Sequence, residues 1–137
     1  MPEFPHLMHT AIDTNDGRSL AEFYREFLGL QYRPGDEPPT DGSEDDDSWL
    51  VLVDADGRRK VAVQRVDDPL PHSTWPSHEV PMQLHLDFSV SSPEELERQK
   101  ERAIELGATV LLDRTEESEA LYVLADPAGH PFCILTR

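Results

Sequence analysis

The sequence predicts an α+β fold made of two tandem βαβββ modules, with the strands forming a curved mixed sheet around a cavity and a helix on the outer face of each module. Three observations predict it. Two segments, one starting at Ser19 and one at Ser92, carry the cap chemistry and apolar spacing of surface helices. The remaining apolar runs are short and β-rich, and most are bounded by Gly, Pro and Asp. Landmarks also recur in one order: His9 and His85 lie 76 residues apart, Gly29 and Gly107 lie 78 apart, and the turns opening at Asp54 and Asp126 lie 72 apart.

The first module is expected over about 6–66. Leu7–Thr14 reads as a strand. Ser19–Leu28 reads as a helix because Leu20, Phe23, Tyr24, Phe27 and Leu28 fall on one face, with Ser19 and Glu22 as a capping box and Gly29 as the stop. Gln31–Arg33 is a short strand. Residues 35–47 hold seven acids and no base, too little apolar area to offset ordering, which predicts a mobile surface loop. Trp49–Val53 and Lys60–Val66 are strands around the turn Asp54-Ala-Asp-Gly57. That turn lacks the ligand register of a calcium loop.

A connector follows at 67–81, where Pro69, Pro71, Pro76 and Pro81 oppose helix and central strand, and where Trp75 reads as an anchor. The second module is expected over about 82–137. Gln83–Val90 is a strand with Leu84, Leu86, Phe88 and Val90 on one face and Gln83, His85, Asp87 and Ser89 on the other. Ser92 caps a helix with Pro93 at its first position, running to about Leu106 and stopped by Gly107. Ala108–Leu112, Ala120–Ala125 and Phe132–Leu135 complete the strands, the last two joined by Asp126-Pro-Ala-Gly129. The polar faces, solvated if the modules stay apart, would line a small-ligand cavity where they curl toward each other.

Composition excludes several classes. The 137 residues suit a single domain. Acidic residues number 28 against 12 basic, for a formal charge of −16, so the surface repels phosphate and no nucleic-acid partner is expected. No apolar run nears the roughly 20 residues of a membrane span, and the first residues lack a signal-peptide pattern, so a cytoplasmic protein without a membrane partner is expected. The single cysteine, Cys133, permits no internal disulfide.

Five stretches carry a family resemblance: His9-Thr-Ala-Ile-Asp-Thr-Asn-Asp16, Phe23-Tyr24 with Leu28-Gly29-Leu30, Gln83-Leu-His-Leu-Asp-Phe88, Leu106-Gly107-Ala108, and Asp126-Pro-Ala-Gly-His-Pro-Phe-Cys133. They resemble the vicinal-oxygen-chelate superfamily of glyoxalases, bleomycin-resistance proteins and dioxygenases, and within it the glyoxalase-like domains. The resemblance implies metal ligands at His9, Gln64, His85 and Cys133. Metal-dependent relatives usually carry glutamate where this chain has Gln64 and Cys133. An amide cannot neutralise a dication. Cys133 is either a thiolate that favours zinc or a small buried hydrophobe between Phe132 and Ile134.

Asp13 and Asp87, on the same faces as His9 and His85, are the candidate catalytic carboxylates, to orient a histidine or act as general base; the alternative is a structural role. At about 3.4 Å per residue, Asp87 is expected about 7 Å from His85. His130 reads as a turn residue, His72 and His78 as solvated, and His6 lies near the terminus. The implied function is a metal-dependent lyase, isomerase or oxygenase-type enzyme using one divalent ion (Zn, Ni, Mn or Fe) in the inter-module cavity. The alternative is a metal-free small-ligand binding or sequestration protein of the bleomycin-resistance type, where the charge would favour a cationic ligand. A homodimer is implied as well.

Overall fold

The computed structural model describes residues 3–116 and 118–137. In chain order the elements are β1 (Thr10–Thr14), α1 (Gly17–Leu28), β2 (Gln31–Tyr32), β3 (Trp49–Val53), β4 (Arg59–Arg65), β5 (Leu86–Val90), α2 (Pro93–Glu105), β6 (Thr109–Asp113), β7 (Leu121–Ala125) and β8 (Pro131–Thr136). They form two four-stranded mixed sheets with the orders β1-β4-β3-β2 and β5-β8-β7-β6. In each sheet the first and last strands of a module pair in parallel and the other pairs are antiparallel. The duplication legible in sequence is therefore a duplication of topology. The chain divides into compact units Met1–Asp68 and Pro69–Arg137. Among the described residues, no helix is long and apolar enough to cross a membrane.

The repeat extends to single hydrogen bonds in the two turns. Asp54 N donates to Arg58 O and Gly57 N to Asp54 O, while Asp54 Oδ1 accepts from Asp56 N and Arg58 N. Asp126 N donates to His130 O and Gly129 N to Asp126 O, while Asp126 Oδ1 accepts from Ala128 N and His130 N. Turn chemistry thus accounts for both aspartates and for His130. His72, expected in solvent, lays its ring where a Cβ on Gly129 would stand.

In the first unit, α1 buries Leu20, Ala21, Phe23, Tyr24 and Phe27. Ile12, Leu50, Leu52, Val61 and Val63 complete the core on β1, β3 and β4. Each large side chain taken fully out of water contributes roughly 1.5–3 kcal/mol. The helix starts two residues before its expected cap. Asp16, not Ser19, is the N-cap, its Oδ1 accepting from Ser19 N at 3.1 Å, so Ser19 sits inside the first turn and the capping box does not form. The far end matches expectation: Gly29 takes the left-handed conformation at φ 66°.

The acidic segment differs most from its sequence reading. Its anchors are bases outside the segment, two of them distant in sequence. Arg18 binds Asp45 with Nε at 2.9 Å and Nη2 at 2.7 Å. Arg65 pairs with Asp47, and Arg33 with Asp36 at 3.1 Å. Asp36 also accepts from Val51 N at 2.9 Å, fastening the loop to β3. A Cβ at Gly17 would collide with the Asp47 carbonyl, so this crossing requires glycine. The segment is strapped over the N-terminus of α1.

In the second unit, Ser92 Oγ accepts from Glu95 N at 3.1 Å and Pro93 opens α2, as the cap chemistry predicts. Leu96 and Ala103 are buried from the helix, and Phe132, Ile134, Tyr122 and Leu124 from the sheet. The opening strand is shorter than expected, starting at Leu86, and Leu84 is 69% exposed. Upstream of Phe132, β8 offers Pro131, which has no N–H to extend the parallel ladder. β1 likewise starts at Thr10, and Leu7 and Met8 are exposed.

Each unit also ties a tyrosine to a helix carboxylate: Tyr32 O–H donates to Glu22 at 2.8 Å and Tyr122 O–H to Glu97. Burial, opposed by Arg18, pushes the Tyr32 phenol up to about 12; the hydrogen bond to Glu97, then burial, does the same for Tyr122. Folding therefore tightens proton binding at both. Their stabilisation is complete below the ordinary phenol value of about 10 and is lost as pH rises toward 12. Ultraviolet titration should show Tyr32 and Tyr122 ionising only near 12 or together with unfolding, and the urea midpoint should fall above pH 10.

Candidate functional site

Strand alternation in the second unit separates a core face from a polar face. Along β8, Phe132 and Ile134 are fully buried and Cys133 between them is half-buried, pointing the other way. Along β5, Leu86 and Phe88 are half-buried while Asp87 and Ser89 are exposed. The parallel register sets Asp87 directly beside Cys133, and the antiparallel register sets Cys133 beside Val123. His85 stands just before β5, on the side of Asp87.

This brings three donors together. One donor atom each from His85, Asp87 and Cys133 lies within 4.8 Å of the others, and among the described residues no other such trio forms. His85 Nε2 lies 3.1 Å from Asp87 Oδ1, far closer than the expected 7 Å strand pitch. The pitch measures backbone positions, whereas these side chains lean together and His85 is outside the ladder. Cys133 faces away from Phe132 and Ile134 and is half-buried between Asp87 on β5 and the buried Val123 on β7. Burial, reinforced by the charge of neighbouring Asp87, pushes the thiol up to about 11. The resting sulfur is therefore protonated.

The first unit places its predicted residues differently. Asp13, Gln64 and Trp49 form one row across β1, β4 and β3, all exposed. His9, just before β1, tilts against the Trp49 ring at 5.8 Å and 59°. Its Nδ1 is buried without a hydrogen-bond partner. The Trp49 contact escaped sequence reading because 40 positions separate the two rings. Ladder position also distinguishes Gln64 from Cys133. Cys133 pairs with the residue two beyond His85, but Gln64 pairs with the residue four beyond His9. The first-unit counterparts of Asp87 and Cys133 are Ala11 and Ala62, themselves register partners.

The second-unit donors fit a divalent ion chemically. Imidazole, carboxylate and sulfur are all recognised ligands, and three protein donors are the number found in open catalytic zinc sites. The ion must displace the thiol proton, because the ligating form is thiolate. The orphaned Nδ1 of His9 is a further unsatisfied donor position in the first unit.

Comparison with known proteins bears on the whole chain. A family model described as glyoxalase-like domain matches residues 9–135. A glyoxalase/bleomycin resistance protein/dioxygenase family enzyme from Burkholderia phytofirmans PsJN superposes with a TM-score of 0.67 at 19% identity, over 94% of this chain and 96% of that one. A possible glyoxalase from Bacillus cereus gives 0.62 at 17%, over 95% and 97%. The fosfomycin resistance protein FosX from Mesorhizobium loti gives 0.65 at 14%, over 98% and 94%. At such identities the likeness shows the fold. No curated protein sequence matches.

Proposed function

Because this chain belongs to the glyoxalase-like domain family, we propose that it is a small-molecule enzyme of the lyase, isomerase or oxygenase kind, working with one divalent metal ion on the polar face of its second sheet. The convergence of His85 and Cys133, from strands far apart in sequence, carries this reading. His85 and Cys133 would hold the ion. When bound, it would act as a Lewis acid on a substrate oxygen. Asp87 Oδ1, 3.1 Å from His85 Nε2, puts a carboxylate beside that imidazole. Asp13, beside Gln64 on the first sheet, is the other candidate carboxylate. Its reactant class is a small oxygen-bearing molecule, and we assign it to the cytoplasm as a homodimer.

Elemental analysis of untagged protein should find about one divalent ion per chain, lost in His85→Ala. The same measurement on His9→Ala and Gln64→Ala reports whether the first unit contributes donors. Metal-free protein from both native purification and zinc reconstitution would refute the enzyme reading. One observation favours the alternative of metal-free binding: the trio is already assembled without an ion, with Asp87 3.1 Å from His85 and beside Cys133 in the ladder. In that case ligand affinity is unchanged by chelators, and a cationic ligand binds more weakly as salt rises.

A further inference from the structure

We infer that Asp87 supplies the anionic oxygen ligand of this site from the neighbouring strand, and that His85, Asp87 and Cys133 together select a zinc-class ion over magnesium or manganese. The inference rests on the metal-dependent reading above and adds to it the third ligand and the class of ion. The contrast between the two copies of the fold is the first support. At the ladder positions of Asp87 and Cys133 the first unit has Ala11 and Ala62. Two small apolar side chains suffice to build that place. The fold therefore does not require a carboxylate and a thiol there, and the second unit's pair needs another explanation.

Geometry is the second support. A tetrahedral ion holding nitrogen and oxygen at about 2.1 Å separates them by about 3.4 Å. His85 Nε2 and Asp87 Oδ1 are already 3.1 Å apart, and all three donor atoms fall within 4.8 Å. The side chains of His85 and Asp87 are 36% and 55% exposed, so an ion reaches them from solvent.

Charge and donor type then choose the ion. With sulfur deprotonated, Asp87 and Cys133 bring two negative charges to a dication and His85 binds neutral. A sulfur–metal bond replaces the S–H bond, the proton leaves to solvent, and no electron is transferred. Magnesium and manganese favour oxygen-rich octahedral shells, to which this trio offers one carboxylate. Sulfur and imidazole suit zinc and cobalt. Asp87 thus provides, one strand over, the carboxylate that position 133 lacks.

The test uses the full chain, stripped with chelator and titrated with Zn²⁺ against a chromophoric competitor, with Mg²⁺ as the contrasting probe. Wild type should take one zinc, magnesium in excess should not displace it, and Asp87→Asn should bind zinc more than about 100-fold more weakly, beyond the usual loss from removing a supporting group. Cobalt-loaded wild type should show a near-ultraviolet thiolate charge-transfer band that Cys133→Ser lacks. The asparagine variant keeps the side-chain size at an exposed position, and circular dichroism confirms its fold. Should Cys133→Ser fail to fold, the wild-type cobalt band by itself reports sulfur ligation, and its absence overturns the thiolate assignment. Zinc held equally well by Asp87→Asn overturns Asp87 as ligand and leaves the metal-dependent reading standing. Displacement by magnesium overturns the ion class. A wild type that binds neither ion overturns both this inference and the reading beneath it.

Discussion

Truncating Phe132 to alanine is expected to lower stability by about 3–5 kcal/mol, the usual cost of removing a fully buried phenylalanine. Phe132 is 0% exposed on β8 and its ring meets Phe88 edge-on at 5.7 Å. The cavity left would lie between that ring and the apolar face of α2, where Leu96 and Ala103 are already buried and have little freedom to collapse inward. Folded domains are stable by only about 5–15 kcal/mol, so this loss is a large share. The same residue pairs with Leu86 in the ladder that sets Asp87 beside Cys133, so the donor trio should loosen with it. Trp49 and Trp75 lie one in each unit, and a Trp49→Phe background leaves Trp75 as the second unit's fluorescent reporter. In that background Phe132→Ala should shift the Trp75 urea transition strongly, and Phe132→Leu should restore most of it. An unmoved transition would show that β8 does not carry the second unit's stability.

Arg18→Ala should be the most damaging change outside the core, at about 2–3 kcal/mol, because its charge-assisted hydrogen bonds each contribute about 1.5–3 kcal/mol and are not additive. Only 17% of the side chain is exposed. Its fork grips both oxygens of Asp45, its Nη1 donates to Asp36 O at 2.7 Å, and its guanidinium lies 4.9 Å from the Tyr32 ring centre. Lysine cannot reproduce a planar fork, so Arg18→Lys should recover little. Glu37 and Glu44 are already exposed, and release of the strap should free their backbone to enter a glutamate-specific protease, with cleavage rising severalfold over wild type. The hydrogen bond from Arg18 holds the Asp45 carboxyl below its ordinary value, and Arg25 does the same for Glu22. These contributions are present above the unfolded carboxyl values near 4 and are lost as pH falls through the lower folded ones. Equal proteolysis of wild type and Arg18→Ala would mean that the ion pairs do not hold the loop.

Local chemistry was readable where cause and effect lie within a few residues. Leu20, Phe23, Tyr24 and Phe27 announced α1, Ser92-Pro93 announced the start of α2, and Asp54 and Asp126 announced matching turns. Misreadings fell where two nearby groups competed or where a partner was distant. Asp16 and Ser19 can both cap α1, and the crossing of Asp47 over Gly17 places Asp16 outside the helix. Residues 35–47 contain no base, so composition alone could not show that Arg18 and Arg65, distant in sequence, would reach them. His85 and Asp87 were each picked out by strand parity, and the pitch of an ideal strand then overestimated their separation.

The sequence by itself determined the α+β class, the doubled βαβββ order and the polar strand face bearing His85 and Asp87, because helix and strand periods and turn residues act over short stretches of chain. Tertiary structure alone decided which strands pair in what register, and so that Asp87 meets Cys133 while the corresponding place in the first unit holds Ala11 and Ala62. Register is fixed by packing between residues some 45–50 positions apart, and side-chain distances at a site inherit it. No local pattern encodes such a distance.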